Sequence, residues 1–119
     1  MKFDSKFEEK VWKASRKGYT EYHPSPLHFT SWRTYTPDFL LQTKRRTRIF
    51  VETKGYFTPA DRGKMLLVKE QHRGFDFRFV FMNAKNKLSK KSKTTYAQWC
   101  DKHGFKWAEG CIPEAWYNE

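Results

Sequence analysis

No apolar run in the chain approaches the ~20 residues that a membrane-spanning helix needs. The opening stretch, MKFDSKFEEKVWK, mixes both charge signs and has no apolar segment of the signal-peptide kind. Cysteine is scarce: Cys100 and Cys111 are the two present, too few for a disulfide framework. These absences point to a reducing interior, a cytoplasm or a nucleus. There is no internal repeat and no flexible linker, and the nearest approach to low complexity is the lysine-rich stretch 83–93. Acid is also in short supply. Thirteen Asp and Glu stand against 24 Lys and Arg, a net charge of +11 on 119 residues. A surplus of that size on a small chain implies a polyanion partner, whether DNA, RNA or an anionic membrane surface.

Aromatic residues are plentiful. Eleven Phe, six Tyr and five Trp supply a core, so the 31% charged residues do not make the chain disordered. The length suits one compact domain. Phe7, Val11 and Ala14 recur at helical spacing and predict a helix over 4–17, with Gly18 as its stop. Residues 19–32 contain Pro24 and Pro26 and read either as a strand broken by a turn or as an irregular arm. Strands are expected over 37–41 and 48–54, joined by a basic hairpin tip. Thr58, Pro59 and Asp61 form a helix start, and the helix runs to about His72. FDFRFVFM, 75–82, reads as a strand, parallel to 48–54 because a helix connects them. Thr94 or Thr95 caps a short helix to about Lys102, GFKWA is a final strand, and the tail packs.

Three charges stand out against this apolar pattern. Asp38 sits in YTPDFLL, and Glu52 and Lys54 end the run IFVETKG. Core-forming strands rarely carry charges unless these are paired or bind metal. A hairpin sets Asp38 beside Glu52, and the spacing of Glu52 and Lys54 sends both from one face of a strand. Converging carboxylates repel, and a hard divalent cation relieves the repulsion through oxygen ligands. Two carboxylates, a cation and an ammonium are what metal-assisted phosphodiester hydrolysis requires. An ExK triplet alone is common and reads as a solvated cross-strand pair. PD, a hairpin-sized gap and an apolar strand ending in ETK, on a chain this basic, favours a catalytic centre.

PD…ETK resembles the PD-(D/E)xK nuclease signature. YTPDFLL, FVETKG, DRGKMLLVKEQH, FRFVF and YAQWCDKHGFKWAEGCIPEAW, in that order, resemble the phage endonuclease I family of Holliday-junction resolvases. The resemblance implies an α/β fold, with a restriction-endonuclease-like core whose mixed sheet is flanked by helices. It implies one nuclease domain over 1–119. It assigns metal binding to Asp38 and Glu52, the essential cation to Lys54, and a further carboxylate on the first helix. KFEEKV offers Glu8 and Glu9, and aligning Phe7 and Val11 with the family's apolar positions selects Glu8. The implied cofactor is Mg²⁺, with Mn²⁺ as a substitute, and the implied setting is the cytoplasm of a bacterial host carrying a phage or mobile element.

Three departures leave the finer substrate open. The segment 20–33, which family members exchange in intertwined dimers, is short here; the sequence ends at Asn118 and Glu119 without a basic tail; and the 42–48 loop is longer and more basic. A homodimer that cuts branched DNA and a monomer that nicks duplex DNA both fit. The rival classes are a DNA-binding module with a defunct nuclease fold and, more weakly, an RNA nuclease. Lys44, Arg45, Arg46 and Arg48 form one candidate DNA-contacting cluster, and Lys85, Lys87, Lys90, Lys91 and Lys93 another. Arg62 and Lys64 are weaker candidates. Cys100, His103 and Cys111 lack a fourth zinc ligand and read as packed cysteines and a surface histidine. Tyr96, Trp99, Phe105, Trp107 and Trp116 read as core rather than base-stacking platforms, and His72 as a helix C-terminal residue rather than a base.

Overall fold

The computed structural model describes residues 2–29 and 33–119. Residues 30–32, which include the Trp32 end of the expected arm, lie outside the described residues. The elements follow as α1 (Lys6–Ala14), β1 (Thr20–Tyr22), β2 (Leu27–Phe29), β3 (Arg33–Tyr35), β4 (Phe39–Gln42) and β5 (Arg48–Lys54). After these come α2 (Pro59–Gln71), β6 (Asp76–Phe81), α3 (Tyr96–His103), β7 (Lys106–Glu109) and α4 (Glu114–Tyr117). Five strands form one sheet in the order β1-β4-β5-β6-β7, and β2 and β3 pair separately. β4 runs antiparallel to both β1 and β5, whereas β5, β6 and β7 are parallel, so the sheet is mixed. The strand–helix–strand unit β5-α2-β6 supplies the expected parallel crossover.

β5 is the central strand, and both its faces are covered. Ile49 and Val51 pack with Phe7 and Val11 of α1 and Trp116 and Tyr117 of α4. Phe50 faces the other way, into a core with Met65 and Val68 of α2 and Tyr96 and Trp99 of α3. Each such buried side chain contributes ~1.5–3 kcal/mol. This two-sided burial is why β5 is a continuous apolar run rather than an alternating one.

Three helix starts follow from capping chemistry. Ser5 accepts from the Glu8 N–H, and Thr58 with Asp61 and Thr95 with Gln98 form reciprocal capping boxes. The first helix ends before the expected Gly18. Ser15 turns its hydroxyl onto the Trp12 carbonyl at 2.6 Å, which competes with helix continuation, and Gly18 instead takes the left-handed turn before β1 with φ 83°. The described part of that arm, 19–29, resolves into β1, on the edge of the main sheet, and β2, in the second sheet, separated by Pro24 and Pro26.

One charge inside the core is purely structural. Arg78 of β6 is buried, yet its guanidinium donates to both Asp76 oxygens and both Glu119 oxygens and lies over the Trp116 ring. This fork pins the C-terminal tail to the sheet.

Candidate active site

Pro37 fixes φ at the entrance to β4, and Asp38 follows it directly. Continuing the β4–β5 register one residue past Phe39↔Val51 sets Asp38 across from Glu52. Period-two alternation then sends Phe50, Glu52 and Lys54 from the same face of β5. The resulting carboxylates are not solvated: Asp38 is 8% and Glu52 5% exposed. That removes the ordinary reading of the ExK triplet as a surface ion pair.

Each group is held by neighbours. Asp38 Oδ2 accepts from the Thr53 N–H at 2.8 Å and from the Thr53 hydroxyl at 2.9 Å. Tyr35, buried at the end of β3, donates its hydroxyl to Glu52 Oε1 at 2.8 Å. Lys54 Nζ lies 3.4 Å from Glu52 Oε2 and 3.3 Å from Asp61 Oδ1. Asp61 is the capping-box acid of α2, so one carboxylate both starts that helix and anchors the lysine. Lys64, one turn further along α2, lies over the Tyr35 ring at 5.3 Å.

The electrostatics separate acids from cation. Burial, followed by the charge of Glu52, pushes Asp38 up to about 8, with a smaller push from Glu8. Burial raises Glu52 too, against the lowering pull of Lys54, Tyr35 and Lys64. Burial works to lower Lys54, but Glu52 and Asp61 outweigh it and hold the ammonium above its ordinary value. Lys54 therefore stays protonated near neutral pH, a donor and charge stabiliser rather than a base. The carboxylate pair is under-neutralised by the protein alone, and oxygen donors of this kind suit a hard divalent cation.

Glu8 reaches this end of the sheet from α1. Its side chain is 12% exposed, accepts from the Tyr22 hydroxyl and faces His23 Nε2 at 3.7 Å. Its ligand oxygen does not converge with those of Asp38 and Glu52. Among the described residues, the three-membered group of metal-ligating atoms within 4.8 Å of one another is Asp4, Glu8 and His23.

The two basic clusters lie at opposite ends of β5. Lys44, Arg45, Arg46 and Arg48 are exposed at the β4–β5 hairpin tip, which hydrogen-bonds to the C-terminal tail through Lys44 N to Tyr117 O at 2.9 Å. β5 spans seven residues, so Arg48 stands ~20 Å from Lys54. The exposed Lys85, Lys87, Lys90, Lys91 and Lys93 follow β6 on the Lys54 side, where Met82 N donates to Lys54 O at 3.0 Å. Arg62 is engaged within the fold, donating to the Phe57 carbonyl at 2.8 Å.

Reading the sequence did not assign Tyr35, Thr53 or Asp61 to the site. All three stand inside the quoted motifs, YTPDFLL, FVETKG and DRGKMLLVKEQH, but nothing local in those strings says that a tyrosine from a separate sheet reaches Glu52. Cys100, His103 and Cys111 do not converge as metal ligands among the described residues. Cys100 is packed, its thiol pushed up to about 12 by burial, whereas Cys111 is exposed. Tyr96, Trp99, Phe105 and Trp116 are buried as expected, while Trp107 is 36% exposed and donates to Asp101. His72 caps the C-terminus of α2 and stacks on Phe75.

The fold and site together define a mixed α/β protein with a buried carboxylate pair and a protonated lysine at one end of its sheet. Residues 2–119 match the family Phage endonuclease I, and the chain belongs to that family. It is 44% identical over 122 residues to "Endonuclease I" of Escherichia phage T7, an alignment covering 98% of this chain and 79% of that protein. It is 48% identical over 85 residues to "Endodeoxyribonuclease 1" of Enterobacteria phage T3, covering 71% of this chain and 53% of that protein.

Proposed function

We propose that the chain is a single-domain, Mg²⁺-dependent DNA endonuclease with a PD-(D/E)xK core, acting in the cytoplasm of a phage-bearing bacterial host. The observation that carries this reading is the pairing of buried Asp38 and Glu52 beside a lysine held protonated. The donor set fits hard cations: carboxylate oxygens from Asp38 and Glu52 would hold Mg²⁺, or Mn²⁺ in its place, and Glu8, whose oxygen stands apart from theirs, would help hold a second ion. An ion held there would polarise the scissile phosphate and lower the pKa of an attacking water.

The chain's own residues do the rest. Thr53 fixes the orientation of Asp38, and Tyr35 that of Glu52. Asp61 keeps the Lys54 ammonium in place, where it stabilises negative charge as it develops on the phosphoryl oxygens. The names of the T7 and T3 relatives support DNA as the substrate, and the net charge of +11 suits a polyanion. Lys85, Lys87, Lys90, Lys91, Lys93 and Lys64 bind the DNA backbone nearest the cut, and the hairpin-tip cluster binds it further away. A homodimer would present two centres and cut a branched junction in paired strands, whereas a monomer would nick duplex DNA.

The test is incubation with supercoiled plasmid and with a synthetic four-way junction, in Mg²⁺ and in chelator. Cleavage in Mg²⁺ alone is expected. Glu52→Ala and Lys54→Ala should each lose at least ~10²-fold while still binding DNA. Binding without cleavage by the native chain would instead identify a non-catalytic DNA-binding module. Undiminished cutting by Lys54→Ala would refute the assignment of the centre.

A further inference from the structure

Beside the carboxylate pair lies a second convergent group, whose chemistry differs from that of the first. We propose that Asp4, Glu8 and His23 form a cation site selective for a borderline transition ion, of the class of Mn²⁺, Co²⁺ or Zn²⁺, over Mg²⁺.

The spacing is that of ligands around one ion. His23 Nε2 lies 3.3 Å from Asp4 Oδ2 and 3.7 Å from Glu8 Oε1, and the three ligand atoms fall within 4.8 Å of one another. Ligands each ~2.1 Å from a shared ion are themselves separated by about this much. The imidazole decides the class of metal. Oxygen-only sites suit Mg²⁺, which dehydrates reluctantly, whereas a nitrogen ligand shifts preference toward first-row transition ions.

The ligands are also supported from behind. The His23 imidazole stacks on Tyr22, with ring centroids 4.0 Å apart and 19° between planes. The Tyr22 hydroxyl donates to Glu8 and accepts from the Asp4 backbone N–H at 3.1 Å, so one phenol ties both carboxylate-bearing residues together. His23 donates its own backbone N–H to the Asp38 carbonyl at 2.9 Å, and holds a left-handed φ of 49° to do so. Partners of this kind orient ligands and are worth ~10–100-fold in metal affinity. Asp4 is largely exposed and His23 about one-third exposed, which leaves an entry path and open positions for water.

Glu8 belongs to this group and also to the carboxylates proposed for catalysis. A transition ion seated here draws on Glu8 and adds positive charge beside Asp38. The centre would then answer to transition-metal concentration separately from Mg²⁺.

The site goes beyond the proposed cleavage, and its test does not read cleavage. Co²⁺ is titrated calorimetrically into the full chain carrying Asp38→Asn and Glu52→Gln, which removes the neighbouring carboxylate pair. One equivalent is expected to bind, and Mg²⁺ in ~100-fold excess should not displace it. Adding His23→Gln or the exposed-site change Asp4→Asn should weaken Co²⁺ at least ~10-fold, while His28→Ala leaves it unchanged. Circular dichroism melts of each variant show that the fold is retained. Failure of Co²⁺ to bind, equal binding by both ligand variants, or displacement by equimolar Mg²⁺ would overturn the site. None of these results bears on Mg²⁺-dependent cutting by the native chain, so the two readings fail independently.

Discussion

At the scale of single residues, buried charge is expensive, and the structure deals with it in two ways. Arg78 is surrounded by four carboxylate oxygens, and its charge is answered within the fold. Asp38 and Glu52 are answered only in part, by Thr53, Tyr35, the adjacent Lys54 and the charge of Lys64. This difference has a pH signature. Asp38, raised to about 8, and Glu52, also raised, bind protons more tightly folded than unfolded. In chelator, stability should therefore fall as pH rises from the ordinary carboxylate range toward 8. Thermal melts across that range check this, and Asp38→Asn should flatten the profile; a wild-type melt that rises with pH would contradict it. Tyr35→Phe removes the donor to Glu52 and leaves the ring. Cleavage at fixed Mg²⁺ should drop ~10–100-fold, with part of the loss recovered at higher Mg²⁺. Asp38, Glu52 and Lys54 were legible because strand alternation and a single hairpin are local rules. Tyr35 was not, because its position depends on β3 folding into a second sheet that crosses to Glu52, and no short-range pattern encodes that crossing.

At the scale of elements, legibility follows the strength of local signals. α2, β5 and β6 carry caps or continuous apolar runs, and the sequence places them to within a residue or two. β1, β2 and β3 have three residues each, too few for a period to register, and β1 takes its partner from β4 beyond two intervening strands. The caps also separate folding from function. Thr58 and Thr95 each head a reciprocal capping box, but Asp61 of the first also holds Lys54, whereas Gln98 of the second holds nothing at the site. Thr58→Ala and Thr95→Ala should each cost about 1 kcal/mol in denaturant melts. Only Thr58→Ala should also slow cleavage, because a loosened Asp61 frees the lysine. Equal activity in the two variants would show that Asp61 holds Lys54 without help from its cap.

At the scale of the whole molecule, what governs DNA contact is where the charge sits. The chain measures 42 × 30 × 29 Å, and its two exposed basic clusters lie at opposite ends of β5. A DNA duplex seated on Lys54 meets the 85–93 lysines before it can reach the hairpin tip. In the sequence the two clusters look alike, since position along the chain does not reveal which end of a strand faces the site. Phosphate contacts release counterions, so each one contributes ~0.9 to the slope of log binding constant against log salt concentration. Replacing Lys90, Lys91 and Lys93 with glutamine should lower that slope by up to ~3 on a short duplex that spans only the catalytic end. Replacing Lys44, Arg45 and Arg46 should leave the short-duplex slope unchanged, and lower it only on a longer or branched DNA that reaches the tip. Fluorescence anisotropy titrations at several salt concentrations read both slopes directly. A short duplex that responds equally to both triple variants would mean that the DNA lies along β5 rather than across the Lys54 end.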